Sequence, residues 1–278
     1  MATIVEMINP LTGLPEQVDK LDHTAQEIDD AVDLAPQLSN PNLLDNWYFG
    51  NPVNQRNVSG TIDAVGYFLD RWKLVSGSVT IGSNGITLNG TIVQILETAV
   101  GTDVTASALT TEGVVVASYD NNSKTISLTG TGQTFVAAKL ELGSQQTLAH
   151  QENGVWVLNE IPDYGEQLRR CQRYFFRLQL GYGYDSIGTG FANSTTGCRI
   201  PLPVPVPFRT VPSVTSTGSF ALFKDGQSSI SATISSVRGK SSLAMPVLEI
   251  SASGLTQNGV YVLTSSSGDS SISLSADL

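Results

Sequence analysis

Tyr67-Phe68-Leu69-Asp70-Arg71-Trp72-Lys73-Leu74-Val75, Gly77, Ser78-Val79-Thr80-Ile81, Ser83-Asn84-Gly85, Ile86-Thr87-Leu88, Asn89-Gly90, Ile92-Val93-Gln94-Ile95-Leu96: short runs of β-branched and aromatic residues alternate here with glycine and asparagine. Val, Ile, Thr, Tyr and Phe fit a pleated surface, and Gly and Asn supply positive φ where a chain reverses. The same alternation continues through Thr111–Tyr119, Thr125–Leu128 and Thr134–Leu142. Asp120-Asn121-Asn122 and Gly130-Thr131-Gly132 stand between these runs as turns. Strands at this spacing without intervening helices predict a β-sandwich or jelly roll over residues 41–162. The polar stretch 143–162 reads as a loop.

On either side the reading changes. Downstream, Asp163 and Glu166 stand three apart after Pro162, the layout of a helix N-cap with a returning carboxylate. A helix of about three turns to near Phe176 would place Leu168, Cys171 and Phe175 on one face, with Arg169, Arg170 and Arg173 opposite as a solvated or salt-bridged side. Residues 163–278 are therefore read as a linker helix followed by a C-terminal β-sandwich tip domain. Within it, Ile200-Pro201-Leu202-Pro203-Val204-Pro205-Val206-Pro207-Phe208 puts proline at every second place. Successive N–H groups of an extended chain point to opposite sides, so all the missing donors lie along one edge. This segment is expected to be a sheet edge that accepts no further strand, with its apolar residues buried. The spacing excludes PxxP recognition.

Upstream, Ile4, Met7, Leu11, Leu14, Val18, Leu21, Ala25, Ile28, Val32 and Ala35 recur at spacings of 3 and 4. That is a heptad seam, too narrow a stripe for a helix lying on a globular core. Pro15 suits a helix start and Pro36 a helix end, while Pro10 and Gly13 argue against helix before residue 15. Residues 1–40 are read as a coiled-coil stalk, the competing reading being a helix packed on its own β domain.

The composition narrows the function. Charged residues make up 14% of the 278 residues, against roughly 25% in an ordinary soluble domain, which suggests that a partner chain covers much of the surface. The net charge of −10 lacks the basic footprint that nucleic acid requires. Residues 1–40 hold eight acids against Lys20 alone, leaving 14 bases and 17 acids beyond them (15 − 1 and 25 − 8). Cys171 and Cys198 form no metal spacing and are read as buried small hydrophobes in a protein made in a reducing cytoplasm. The N-terminus lacks the basic and apolar regions of a secretion signal, and no apolar run approaches the ~20 residues of a membrane span.

Catalysis finds little support. Asp103, Glu112, Asp185 and Glu249 are scattered single acids, whereas glycan hydrolysis needs two opposed carboxylates. His23 and His150 sit near no triad or zinc arrangement. The pairs Gly181/Gly183 and Gly188/Gly190 lack the Lys-Ser/Thr of a phosphate loop. No cofactor is expected. Adhesion needs less: aromatic faces for sugar rings and polar groups for hydroxyls. Tyr182, Tyr184 and Asp185, followed by Gly188-Thr189-Gly190-Phe191, offer that mixture, and Trp156 is a further candidate. The same tyrosines also read as filling the axis of an oligomer, and Trp156 as inter-domain packing.

Three stretches resemble phage and prophage tail-fibre proteins. Met7-Ile8-Asn9-Pro10-Leu11-Thr12-Gly13 with Gln26-Glu27-Ile28-Asp29-Asp30-Ala31 is similar to their particle-proximal start. Asn42-Leu43-Leu44-Asp45-Asn46-Trp47-Tyr48-Phe49, Asn51-Pro52-Val53-Asn54-Gln55-Arg56 and Asp70-Arg71-Trp72 resemble the opening of a galactose-binding-like jelly roll. Lys139-Leu140-Glu141-Leu142-Gly143-Ser144, Asp163-Tyr164 to Glu166 and Arg170-Cys171-Gln172-Arg173-Tyr174-Phe175 are similar to the end of that jelly roll and its junction to a tip domain. The resemblance reaches to about residue 210. It implies a homotrimer on a virion tail or baseplate, attached through its N-terminus and adhering to bacterial surface carbohydrate. Asn46, Gln55, Arg56 and Asp70, beside Trp47 and Trp72, are expected to hold the fold by buried hydrogen bonds rather than to touch sugar. The alternatives are a capsid or tail decoration protein without a receptor, and, more remotely, a surface-glycan hydrolase.

Overall fold

The computed structural model describes residues 4–8, 15–19, 39–181, 183–224 and 228–278. The chain divides into two units, Met1–Asn40 and Pro41–Leu278. In the first, β1 (Ile4–Ile8) and β2 (Pro15–Asp19) pair antiparallel, with Ile4 opposite Asp19 and Ile8 opposite Pro15. The start of the expected helix at Pro15 is thereby corrected: those residues form a strand, which the proline tolerates at its first position. The remaining seam positions, Leu21 to Ala35, lie outside the described residues.

The second unit is all-β apart from one helix among the described residues. Its first part contains β3 (Gly60–Ile62), β4 (Gly66–Leu69), β5 (Trp72–Gly82), β6 (Gly85–Ile95), β7 (Val104–Thr110), β8 (Gly113–Val116), β9 (Ser118–Asp120) and β10 (Thr125–Leu142). These pair as one antiparallel sheet in the order β3-β5-β6-β10-β7-β8, with β4 also on β5 and β9 also on β10. The segment Asn42–Phe49 runs beside β10, as shown by Leu43 N–H to Leu140 O at 2.9 Å, Ala138 N–H to Trp47 O at 2.9 Å and Phe49 N–H to Val136 O at 2.8 Å.

Gly130-Thr131-Gly132 is not a turn. It lies inside the 18-residue β10. Gly77, Gly90 and Gly130 are register partners across β5, β6 and β10 and form a row. A Cβ at Gly77 would stand 2.0 Å from Asn89 O, and one at Gly90 2.1 Å from Ser76 O, so the row admits only glycine. Beside it, bulges between Leu74 and Ser76 and between Thr131 and Gln133 each add one residue to a strand. Each bulge switches which alternate side chains face inward. On β5 the buried set passes from Trp72 and Leu74 to Val79, and on β10 from Ile126 and Leu128 to Phe135 and Ala137. On β6, Ile86, Leu88 and Ile92 keep one phase. All belong to a single core with Leu44, Trp47, Phe49 and Leu140.

Two tight reversals depart from the sequence reading. The run Tyr67–Val75 is broken at Asp70-Arg71, where Arg71 takes φ 71° and turns β4 into β5. The loop 143–162 contains a hairpin, β11 (Ala149–Glu152) with β12 (Val155–Leu158), reversing at Asn153-Gly154. That dipeptide is itself a strong hairpin signal.

Helix α1 (Tyr164–Gln172) starts as expected, Asp163 Oδ1 accepting Glu166 N–H at 2.8 Å. It ends before Phe175, which opens the strand β13 (Phe175–Gln179). In place of the expected β-sandwich tip, the chain builds a closed barrel. It consists of β14 (Ser186–Ala192), β15 (Gly197–Pro201), β17 (Phe220–Phe223), β18 (Ile230–Val237), β19 (Val247–Ala252) and β20 (Val260–Ser265), closed as β14-β15-β19-β18-β17-β20. A three-stranded sheet, β13-β21-β16, shares its core and is completed by β16 (Ser213–Thr217) and β21 (Ser271–Ser275). Closure leaves no sheet edge on the barrel for another chain to extend. The proline segment bears out its reading in part: only Ile200 and Pro201 belong to β15, and residues 202–208 lie outside any strand, with Val204 and Val206 half-buried. Yet Leu202, Val204 and Phe208 donate N–H bonds to Pro246, Ala244 and Leu243 on one side, while Pro203, Pro205 and Pro207 face solvent on the other. Cys171 and Cys198 are free and buried. No helix among the described residues is long and apolar enough to cross a membrane.

The glycine row yields a paired test. Gly90→Ala drives a Cβ into Ser76 O and is expected to cost about 3 kcal/mol or more by chemical denaturation, or to prevent folding. Gly60→Ala, also at positive φ but with nothing within 4 Å, is expected to cost about 1 kcal/mol. Equal losses in the two variants would refute steric exclusion at the row.

Candidate functional site

The motif residues of the first β part and of α1 meet at one place, the seam between the two cores. Asn46 donates from Nδ2 to Val53 O and Asp70 O, both at 2.8 Å, and accepts Val53 N–H at Oδ1. Its backbone N–H reaches Gln167 Oε1 on α1 at 2.7 Å, and its carbonyl receives Trp72 Nε1–H at 2.9 Å. Gln55 bridges the cores, donating its backbone N–H to Asp70 Oδ2 at 2.7 Å and its amide to Phe175 O at 2.8 Å. Arg56 lies over the Phe175 ring, 4.0 Å from its centroid, and pairs with Asp277 at 2.6 Å. Arg71 stacks 3.6 Å from the Tyr174 centroid and shares Asp45 with Arg170, at 3.0 and 2.7 Å. Arg173 pairs with Glu97 at 3.1 Å. Arg170 and Arg173 are thus salt-bridged while Arg169 is exposed, and Asn46, Gln55, Arg56 and Asp70 are structural as expected.

Asp70 has no exposed surface. Burial, opposed by the Gln55 hydrogen bonds and the Arg56 charge, raises its carboxyl to about 6. Desolvation likewise pushes Tyr174 up to about 12, and the Arg173 hydrogen bond holds Glu97 below its ordinary range.

The tyrosine segment lies elsewhere, at the entry to the barrel. Tyr184 is 70% exposed, with φ 73°, and is held by its N–H to Ser265 O at 2.7 Å. Its ring and that of Phe223 form a T-shaped pair, centroids 5.9 Å apart at 70°. Asp185 accepts Gly181 N–H at 3.1 Å, donates its N–H to Ser265 Oγ at 3.1 Å, and so shapes the turn that presents Tyr184. Tyr182 lies outside the described residues. On β14, Thr189 stands opposite Val262, which stands opposite Phe223 on β17; Phe191 stands opposite Val260. Directly opposed residues of an antiparallel pair share a face. Phe191 is 50% and Val260 61% exposed, so these rows form an apolar and aromatic strip on the outside of the barrel. Arg199, opposite Phe191, pairs with Glu249 at 3.4 Å and borders the strip with a neutralised charge pair.

Trp156 does not join this surface. It sits on β12, half-buried against the first core, its Nε1 where a Cβ at Gly113 would come within 2.9 Å. The strip therefore keeps Tyr184 and Phe191, uses Asp185 as a scaffold, and adds Phe223 and Val260. Neither addition was legible, because both reach Tyr184 and Phe191 only through non-local strand pairing. The strip can stack on the C–H faces of a flat ligand. Among the described residues no three His, Cys, Asp or Glu gather as a metal set. No protein-family model, curated protein or solved structure matches the chain.

The buried Asp70 carries a pH signature. Its folded pKa of about 6 lies above the ordinary aspartate value of 3.8, so the native state holds the proton more tightly. Its contribution to stability is greatest below the unfolded pKa and is lost as pH rises through about 6, a change of about 3 kcal/mol. Asp70→Asn is expected to flatten this fall when unfolding free energies are measured by urea between pH 4 and 7. A variant that retains the full wild-type slope would assign it to other groups.

Proposed function

We propose that the chain is a non-enzymatic adhesin of the phage tail-fibre kind, a homotrimer carried on a virion by its N-terminal segment and holding bacterial surface glycan on the barrel. The observation that carries this reading is the exposed strip of Tyr184, Phe223, Phe191, Val262 and Val260, aromatic faces displayed on a closed and rigid scaffold. Exposed aromatics at this density are costly in water and suit the apolar faces of pyranose rings. Self-association is supported by the apolar positions Leu21, Ala25, Ile28, Val32 and Ala35, still at spacings of 3 and 4, and by the scarcity of surface charge. The tail-fibre affiliation rests on the motif blocks.

A single stacking site for sugar is weak. Three copies on one particle raise avidity by ~10²–10⁴-fold where the geometry permits simultaneous contact. With 14 bases against 17 acids after residue 40, long-range steering has little to act through, and binding depends only weakly on salt.

Two measurements test this. Light scattering at micromolar concentration is expected to give three times 29.5 kDa; the mass of one chain would end the trimer reading. Tyr184→Ala and Phe191→Ala are each expected to weaken adhesion to host cells and signals on a glycan array without altering that mass. Silence of the wild-type trimer across a broad array would instead favour a decoration protein, and full adhesion in both variants would remove the strip from the site.

A further inference from the structure

A second concave surface lies on the eight-stranded sheet. A cleft of about 810 Å³ opens along β7 and β8 and is rimmed by the turns at Gly101-Thr102, Asn121-Asn122 and Ser144. Ser107, in the middle of β7, lines it. That residue is 2% exposed, and its hydroxyl has no hydrogen-bond partner on the chain. A buried hydroxyl without a partner costs on the order of 1–3 kcal/mol, a cost that a bound ligand supplying a hydrogen bond would remove. We propose that this cleft is a binding site for a neutral saccharide, with Ser107 at its floor.

The chemistry of the lining selects the ligand class. Neither lysine, arginine nor histidine lines the cleft, so nothing there would neutralise a phosphate or a carboxylate. Its one carboxylate, Asp120, is turned to its own loop, accepting Asn122 N–H at 2.9 Å and the Ser123 hydroxyl at 2.7 Å. Those bonds hold it below the usual carboxylate range and leave it a structural group. Tyr119 and Asn121 brace the rim: Tyr119 OH donates to Asn121 Oδ1 at 3.3 Å, and Asn121 Oδ1 also accepts Gly101 N–H at 2.9 Å. What remains for a ligand is neutral, the hydroxyls of Thr102, Ser107 and Ser144 and the amide of Asn122, set among the apolar Val104, Val114, Val115 and Val116. A purely apolar guest would leave the buried hydroxyl unpaired. A molecule alternating hydroxyls with C–H faces satisfies both parts, and the volume is within the range of small-ligand pockets.

The assignment shares its ligand class with the adhesive role proposed above and rests on that reading only for the source of the sugar. Its geometry is separate, since the strip lies on the barrel and the cleft on the sheet.

The test uses the full chain with methyl-labelled valine, titrated with chitobiose, lactose and maltose at millimolar concentration. At least one disaccharide is expected to give saturable shifts at the methyls of Val104, Val114, Val115 and Val116. Ser107→Ala is expected to weaken that binding about tenfold, the loss of one hydrogen bond, while its melting temperature stays equal or rises because an unpaired buried hydroxyl is gone. Asn122→Ala, a change on an exposed turn, is expected to weaken binding too and decides the matter if Ser107→Ala fails to fold. Absence of shifts with all three sugars, or affinity unchanged in the variants, overturns the site. Tyr184→Ala is expected to leave these shifts intact: adhesion insensitive to Tyr184 with cleft shifts preserved removes the barrel reading alone, and cleft shifts abolished by Tyr184→Ala overturn the cleft.

Discussion

The architecture of the larger unit depends on the close approach of three backbones at Gly77, Gly90 and Gly130. No side chain fits where the carbonyls of Ser76 and Asn89 come within about 2 Å of a would-be Cβ. The bulges beside the row shift β5 and β10 by one residue while β6 keeps its phase, and that shift lets long strands feed one core on both sides of the row. A strand of 18 residues in regular alternation would present its apolar set to one face throughout. Here the inward set changes midway, so Trp72 and Leu74, before the row, share a core with Val79, beyond it.

Against that sheet the second core is held mainly by polar and stacked contacts. Gln55, Arg56 and Arg71 each touch both sides of the seam, through hydrogen bonds, ion pairs or a ring face. Buried ion pairs contribute little net stability against an apolar alternative, but the loss of one partner is costly. Such a seam, in which each group needs a particular partner, penalises other geometries. The barrel strip and the sheet cleft are two surfaces of the same compact unit.

The two surfaces differ in what they demand of the chain. The strip is made of residues that could have been buried and are not, and its cost is exposure of apolar area. The cleft is made of a polar atom that could have been paired and is not, and its cost is desolvation. Both are local departures from the consistency between burial and polarity, and the seam holds others in the buried, unpaired Arg56 Nε, Arg71 Nη1, Arg177 Nε and Asp277 Oδ1.

The all-β class, the cap of α1 at Asp163, the one-sided hydrogen bonding of the proline segment and the structural role of Asn46, Gln55, Arg56 and Asp70 were legible in the chain. Each of these rests on local chemistry: β-branched runs, a carboxylate three residues before an N–H, missing donors on one edge, polar side chains beside tryptophan. The barrel, the glycine row, the joining of Phe223 to Tyr184 and the orphaned hydroxyl of Ser107 were decided only by tertiary structure. Gly130-Thr131-Gly132 has the composition of a turn, and only pairing with β6 makes it strand. Closure of six strands needs β14 to find β20 about seventy residues on, a contact that no local pattern encodes. Ser107 sits in an ordinary alternating run, and its isolation arises from what β8 and the neighbouring turns leave uncovered. Local preference sets what a segment can be, while long-range pairing sets which neighbours it meets, and a site is made of neighbours.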